Sequence, residues 1–402
     1  MPLKPTPEFE EIAHSGGTVT FTVSSRGVSG RAYSVTYTGC RPVKVVLIDI
    51  CAHYDGDRVA ALGFNEEPPA GWLPVTMASD SEGSFGHQCP ACNQYWRSGP
   101  WPRTCPYCRF RAWGIAFLTN AQKSYVKQYC QKLREALDAA EDGDHVIDMD
   151  AVADAAGKEG QKPAFYYAEE SQQRKFTCGA CGEFNDILGR FGYCSSCETR
   201  NDLADFEEDI VPTIRARLNA GNAPEDCVRD AVAAFDSFVA QLAKQLAAMI
   251  PLTERRKRRL STQRFHNLQE VRETLKNWFD IDVCAAMKED ECRAAALMFH
   301  RRHVYEHNGG EVDQKYLDDS GDTTVRLKQR IHQTQQDGHS LLNSLVKMAR
   351  NIHGTFHELF PPIPEPIRAF EAKKARTNEY AEQLKLKPGV TIPQGSTAAP
   401  RN

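Results

Sequence analysis

The 402-residue chain lacks a long apolar run. Its most apolar helix-like stretch, Asp230 to Ile250, is interrupted by Asp236, Gln241, Lys244 and Gln245, which is too polar for a bilayer span. The first residues, Met1-Pro-Leu-Lys-Pro-Thr-Pro-Glu-Phe-Glu-Glu, hold no apolar core, so no signal peptide is expected there. The expectation is a soluble cytoplasmic protein without membrane contact. An excess of charge of one sign is also missing: 49 basic against 53 acidic residues give a net charge of −4. That rules out a uniformly basic nucleic-acid coat but not local basic patches. No glycine-rich phosphate loop is present, and no Ser-His-Asp arrangement stands out.

Cysteine, by contrast, is plentiful and patterned. Eight of the 14 cysteines form four Cys-x-x-Cys pairs. Cys89/Cys92 and Cys105/Cys108 are separated by 12 residues, and Cys178/Cys181 and Cys194/Cys197 by the same 12. One device is therefore carried twice. Two residues between cysteines let both thiolates of a tight turn face one ion, and two such turns close a tetrahedral S4 site. This pattern predicts two structural Zn2+ ions, with no open coordination position for catalysis. Turn residues agree: Pro90 and Pro106 lie inside pairs, and Asn93 and Gly182 follow a second cysteine, where left-handed backbone is common. Whether each quartet takes its own ion or the pairs interleave stays open. Arg97, Arg103, Arg109 and Arg111, interleaved with Trp96, Trp101 and Trp113, suggest nucleic-acid contact at the first quartet, against a purely bracing role. Cys40, Cys51, Cys130, Cys227, Cys284 and Cys292 are scattered and expected to be reduced, the last three in helices.

The organisation is multidomain α+β. Residues 1–85 form a β-rich module: Thr18–Val23 and Ala32–Tyr37 alternate, and Val43–Ile50 is a buried-looking run. Zinc ribbons occupy 86–112 and 173–204, joined over 113–172 by a connector with a helix near Asn120–Glu141 and an acidic, solvated stretch after it. Residues 205–360 form a helical bundle, with helices expected over Ala223–Met249 (Asn222 as N-cap), Glu254–Phe279, Glu289–His307 and Thr324–Leu359. Residues 361–402 read as a disordered tail.

The densest chemistry lies in Phe299-His-Arg-Arg-His-Val-Tyr-Glu-His-Asn-Gly-Gly310. Arginine can neutralise a phosphate bidentately, and histidine moves protons near neutral pH. At about 100° per residue, Ala294, Leu297, Met298, Arg301, Val304 and Tyr305 make the packing face. Phe299, His300, Arg302, His303, Glu306 and His307 lie opposite. Arg302 and His307 sit toward opposite margins, which favours a site shared between two copies. Arg302-His303-x3-His307 resembles the R-x4-6-H motif of HEPN domains, four-helix bundles that are often endoribonucleases. The His307-Asn308-Gly309-Gly310 flank, followed by Val312-Asp313-x2-Tyr316-Leu317, is similar to bacterial HEPN-like proteins, some linked to phage defence. The resemblance covers residues 205–360. It implies metal-independent RNA cleavage in a homodimer, with an antitoxin or a phage-derived trigger as a further partner. His307 would move the proton, Arg302 would stabilise phosphoryl charge, and His303 and Asn308 would orient phosphate or imidazole.

Two further readings compete. His303-Val-Tyr-Glu306-His307 spells H-x-x-E-H, a zinc peptidase signature, with Glu358 as the obvious third ligand and the adjacent arginines opposing a cation. The chain could also be a non-catalytic zinc-ribbon adaptor for nucleic acid or protein, its bundle serving only to dimerise. Arg255, Arg256, Lys257, Arg258 and Arg259 form a basic run fit for an RNA backbone or for a solvated helix face.

Overall fold

The computed structural model describes residues 18–25, 31–38, 46–62, 66–79, 82–139, 141–148, 151 and 172–385. The chain divides into two compact units, one of residues 1–199 with 363–402 and one of residues 200–362. The first is β-rich and carries both cysteine quartets; the second is helical.

In the first unit, β1 (Thr18–Ser25) pairs antiparallel with β2 (Arg31–Thr38) and, on its other edge, with the distant β8 (Gly143–Asp148). A second sheet has the order β4-β3-β5, from Val59–Ala61, Leu47–His53 and Trp72–Ala78. Helix α1 (Asn120–Asp138) begins at a capping box in which Thr119 and Gln122 exchange hydrogen bonds. Its buried stripe, Tyr125, Val126, Tyr129, Cys130 and Leu133, packs with Ile50 and Ala52 of β3, Leu73, Val75 and Met77 of β5, and Ile147 of β8. The acidic stretch expected as a linker thus contains a strand, since Val146 and Ile147 alternate out and in on the free edge of β1. Beyond it, residues 152–171 lie outside the described residues.

The ribbon strands β6 (Phe85–Gln88), β7 (Tyr95–Ser98), β9 (Arg174–Thr177) and β10 (Phe184–Ile187) form one sheet of order β6-β7-β10-β9. The expected disordered tail is corrected as well: Pro364–Lys385 is helix α10, whose prolines Pro364 and Pro366 occupy the first turn, where no N–H donor is needed. Ile367 packs on the second quartet, and the Phe370 ring lies where a side chain on Gly182 would sit. Residues 386–402 are outside the described residues.

In the helical unit, α2 (Asp202–Asp205) runs through a π-helical turn, Phe206–Ile210, into α3 (Val211–Asn219). Helix α4 (Pro224–Met249) and α9 (Gln335–Leu359) supply most of the core, with Phe235, Phe238, Leu242, Leu345, Met348 and Ile352 buried. The N-cap of α4 is Ala223 rather than Asn222. The expected Glu254–Phe279 helix is two, α5 (Glu254–Thr262) and α6 (Leu268–Phe279). Asn267 caps α6 by accepting from Gln269 N and Glu270 N, and Asp236 accepts from Phe265 N in the break. Helix α7 spans Glu289–His307 as expected, and Cys284 lies in the turn before it. The expected Thr324–Leu359 helix starts only at Gln335, behind a Thr334 capping box; α8 (Gln314–Ser320) and a loop precede it.

Two histidines on α9 close this unit. His353 Nε2 donates to Arg200 O (3.3 Å), Arg200 N donates to His357 Nε2 (3.2 Å), and His357 Nδ1 donates to Phe360 O (3.3 Å). Burial pushes both imidazoles below their usual range, His357 to about 4, where the neighbouring His353 adds to the effect. Unfolded histidine titrates near 6.5. Between those values the unfolded chain binds more protons, so stability falls as pH drops below about 6.5 and levels off below about 4. We expect the melting temperature of the full chain to fall over this window. In His357→Gln the fall should be shallower, which scanning calorimetry at a series of pH values checks.

Candidate metal centres and candidate active site

Each quartet assembles within itself. The four Sγ atoms of Cys89, Cys92, Cys105 and Cys108 lie within 4.8 Å of one another, as do those of Cys178, Cys181, Cys194 and Cys197. Sγ–Sγ separations are 3.7 Å (Cys89–Cys108, Cys92–Cys105), 3.6 Å (Cys178–Cys197) and 3.5 Å (Cys181–Cys194). A tetrahedral centre with metal–sulfur bonds of about 2.3 Å requires edges of about 3.8 Å. The donor sets therefore fit two ions, one per quartet, and the interleaved pairing is not formed. The four residues after each second cysteine, Asn93, Arg109, Gly182 and Glu198, all have φ between 59° and 73°. This left-handed step lets the N–H of that residue return to the first cysteine's carbonyl: Asn93 to Cys89, Arg109 to Cys105, Gly182 to Cys178 and Glu198 to Cys194.

The two ribbons pack as an isologous pair. The offset of 89 residues that carries Cys89 to Cys178 also carries Arg97 to Asp186, and these two stand opposite each other where β7 meets β10. Thr104 N donates to Ser195 O (3.1 Å) and Tyr193 N to Pro106 O (2.9 Å), one bond repeated on exchange of ribbons. Arg109 pairs with Glu198, again 89 residues apart, at 2.7 Å, and Arg111 pairs with the same carboxylate. In two-fold packing a residue on the axis meets its own copy, and like charges there repel. Duplication within one chain lets one copy carry arginine and the other an acid. Burial pushes the Glu198 carboxyl up, but Arg111 and Arg109 outweigh it and hold it below its usual range. Arg97 and Asp186 are 3% and 0% exposed, and breaking such a buried pair costs about 3–5 kcal/mol. Arg97→Asp should therefore strongly lower the denaturant midpoint, and adding Asp186→Arg should recover part of the loss; equal loss in the double variant would contradict the exchange symmetry.

This packing consumes three of the seven residues expected to touch nucleic acid. Trp96 is fully buried between His87 and Phe117, Arg97 is buried, and Arg109 is tied to Glu198. Trp101, Trp113 and the outer parts of Arg103 and Arg111 remain at the surface. Aligning the repeats at 89 residues brings out both Arg/acid pairs, which the cysteine spacing by itself does not.

In the helical unit, the wheel for α7 changes at two positions. Ala294 is exposed and Phe299 is buried, its ring edge-on to Phe235 at 5.9 Å. Met298, Val304 and Tyr305 face inward as expected, and Cys292, Ala295 and Phe299 join them in the buried stripe. Arg302, three positions past Phe299, prolongs that stripe at the helix end, and its Nε is buried without a hydrogen-bond partner. His303 and His307 stand together on the exposed flank, ring centroids 4.5 Å apart. Partial burial, then the charges of His307, Lys315 and Arg302, hold His303 below its usual range against the pull of Asp313. Burial likewise lowers His300, opposed by Asp319.

The remaining motif residues are engaged. Arg301 pairs with Asp322 (3.0 Å), which also accepts from the Tyr316 hydroxyl (2.7 Å). Asn308 donates to Asp313 Oδ2 (2.6 Å), while Asp313 Oδ1 caps α8. Asn308 thus ties the end of α7 to the start of α8, and its amide nitrogen is committed. Gly309 and Gly310, at φ 57° and 89°, turn the chain away. Beside them a hollow of about 280 Å³ is lined by Glu225, Arg229, Tyr305, Gly310, Arg330 and His332. Among the described residues, only the cysteine quartets bring three or more His, Cys, Asp or Glu donors together, so His303 and His307 offer a metal two donors and Glu358 does not join them.

On α5, Arg256 and Arg259 lie over the Trp278 ring at 5.3 and 5.4 Å, and Lys257 pairs with Glu254. Arg255 and Arg258 stay exposed along a shallow hollow with Thr262. Among the described residues no helix is long and apolar enough to cross a membrane. Comparison with family models, curated proteins and solved structures finds no match for this chain.

Proposed function

We propose that the protein is a metal-independent endoribonuclease of HEPN type, with two structural zinc ions in its ribbons. The observation that carries this reading is Arg302. Of two adjacent arginines, Arg301 is spent on Asp322, whereas Arg302 ends the packing stripe with a buried, unpartnered Nε next to two paired imidazoles. An unpaired buried donor is costly unless a ligand completes it, and a phosphate does so bidentately. One imidazole takes the proton of the ribose 2′-OH as its oxygen attacks phosphorus. The other gives a proton to the departing 5′-oxygen, and Arg302 offsets the charge growing on the non-bridging oxygens. Two imidazoles with ring centroids 4.5 Å apart are placed for one to act as base and the other as acid. His303, held low, suits the base.

Arg302 and His303 differ by about 100° around the helix, so one copy does not converge on a single phosphate. A homodimer apposing two α7 ends would. Arg255 and Arg258 would add backbone attraction. A role in bacterial defence or as a toxin, with a phage-derived trigger or an antitoxin, follows from the resemblance.

Labelled RNA incubated with the pure full chain in EDTA, for times over which the ribbons keep their metal, should yield 2′,3′-cyclic phosphate and 5′-hydroxyl ends. The matching DNA should stay intact because it lacks the attacking hydroxyl. Cleavage of DNA at a similar rate, or cleavage that only added divalent ions restore, would remove the assignment. The adaptor reading draws on the closed quartets, which offer binding but no chemistry.

A further inference from the structure

We propose that the first ribbon carries a stacking platform for single-stranded RNA, built from Trp101, Phe110 and Trp113 and edged by Arg103 and Arg111. These aromatics are 42%, 39% and 89% exposed. An indole left almost wholly in water is uncommon in a folded protein and marks a surface that something covers.

The residues form one patch. Ala112 N donates to Arg103 O (3.1 Å), and Thr104 bridges to Arg111, which places both arginines beside Trp113. The Gly114 backbone lies against Trp101, so close that a side chain there would meet the indole at 3.1 Å. Phe110 is braced edge-on by Phe117 at 6.2 Å.

The second ribbon provides an internal control for what this fold requires. It makes the same hairpin, the same left-handed steps and the same quartet geometry. Yet 89 positions after Trp101, Phe110 and Trp113 it has Arg190, Thr199 and Asp202. The ribbon therefore folds without aromatics at these positions, and their presence on the first copy needs another reason.

Charge selects the occupant. From Phe85 to Phe117 the sequence holds four arginines and no aspartate or glutamate. Arg97 is spent on Asp186 and Arg109 on Glu198, so the cations this face presents are Arg111 and Arg103, the latter 3.6 Å from Glu365 and 46% exposed. Arg111 is fixed by Glu198 yet keeps 57% exposure, so a cation is held ready without losing its outer face. Flat aromatic faces with fixed cations between them match the alternation of base and phosphate along an unpaired strand. A duplex hides those base faces in its own stack. This platform deepens the RNA reading above, yet uses neither Arg302 nor His307, so the two can fail separately.

The test uses the full-length, zinc-loaded chain carrying His307→Ala, so that RNA survives, and a fluorescent oligouridine followed by anisotropy. Trp113→Ala and Trp101→Ala should each weaken binding about tenfold, with Trp113→Phe retaining most of the affinity. Zinc content and far-UV circular dichroism should not change, because Trp113 supports nothing in the fold. A self-complementary RNA duplex should bind more weakly than the single strand. Unchanged oligouridine affinity in the Trp101→Ala/Trp113→Ala double variant overturns the platform and leaves this face to a protein partner. Tryptophan-dependent binding in a wild-type chain that never cleaves would instead remove the nuclease and keep the platform.

Discussion

Arg302→Ala should lower the rate of RNA cleavage by about 10²–10³-fold while leaving the melting temperature unchanged or slightly raised. The rate loss follows from removing the group that meets charge developing on the phosphate. The intact stability follows from what Arg302 lacks: its buried Nε has no partner, so truncation relieves an unsatisfied donor rather than breaking a bond. The neighbouring Arg301 should behave oppositely. Its guanidinium holds Asp322, whose side chain is 1% exposed and which also binds Tyr316 and Thr324. Arg301→Ala leaves that carboxylate buried without its cation, at a cost of about 3–5 kcal/mol. One adjacent pair thus separates into a group that reacts and a group that folds, distinguishable by measuring cleavage and thermal melting on the same two proteins. His307→Ala should cost about 10²–10⁴-fold. If the site is shared, mixing Arg302→Ala with His307→Ala subunits should restore part of the activity, since one composite site in the mixed dimer keeps both groups. Two inactive variants that stay inactive on mixing would confine the site to one chain.

The sequence disclosed some of this plainly and some not at all. Cysteine spacing located both quartets, because metal geometry is set by two short turns and hardly depends on the rest of the fold. Helix α7 was legible to its ends, between an acidic first turn and a Gly-Gly stop. Breaks inside helical stretches were not: Gln263 to Asn267 has no glycine or proline, and it leaves the helix because Asp236, nearly thirty positions earlier, binds the Phe265 N–H. On α7 Met298, Val304 and Tyr305 turn inward as their spacing predicts, and only Ala294 and Phe299 exchange sides, for a related reason. A run of Ala294, Ala295, Ala296 and Leu297 leaves the apolar stripe ambiguous, and only the Phe235 ring decides that Phe299 turns inward and carries Arg302 round with it. Residues 364–385 are helical despite a polar, proline-bearing sequence, because Pro364 and Pro366 sit in the first turn, where no N–H donor is needed.

The quartets should stand or fall together. In Cys194→Ser the second ribbon loses one thiolate, and structural Zn2+ sites of this kind contribute about 10–16 kcal/mol to the folding of small modules, too much for the few buried residues around Cys178 and Cys197 to replace. The damage should not stop there. β10 is the sheet neighbour of β7, Asp186 supplies the buried partner of Arg97, and Glu198 holds Arg109 and Arg111, which belong to the first ribbon. When the second ribbon loosens, those arginines lose their counter-charges and the first ribbon loses the bonds through Ser195 and Pro106. Zinc content in Cys194→Ser should therefore fall from two ions per chain to well below one, and the reciprocal Cys105→Ser should do the same. Cys284→Ser, outside both quartets, serves as the control and should keep both ions. Retention of one ion in Cys194→Ser, released to a colorimetric chelator no faster than in the parent, would mean that the ribbons load independently and that their charge pairs merely decorate the contact.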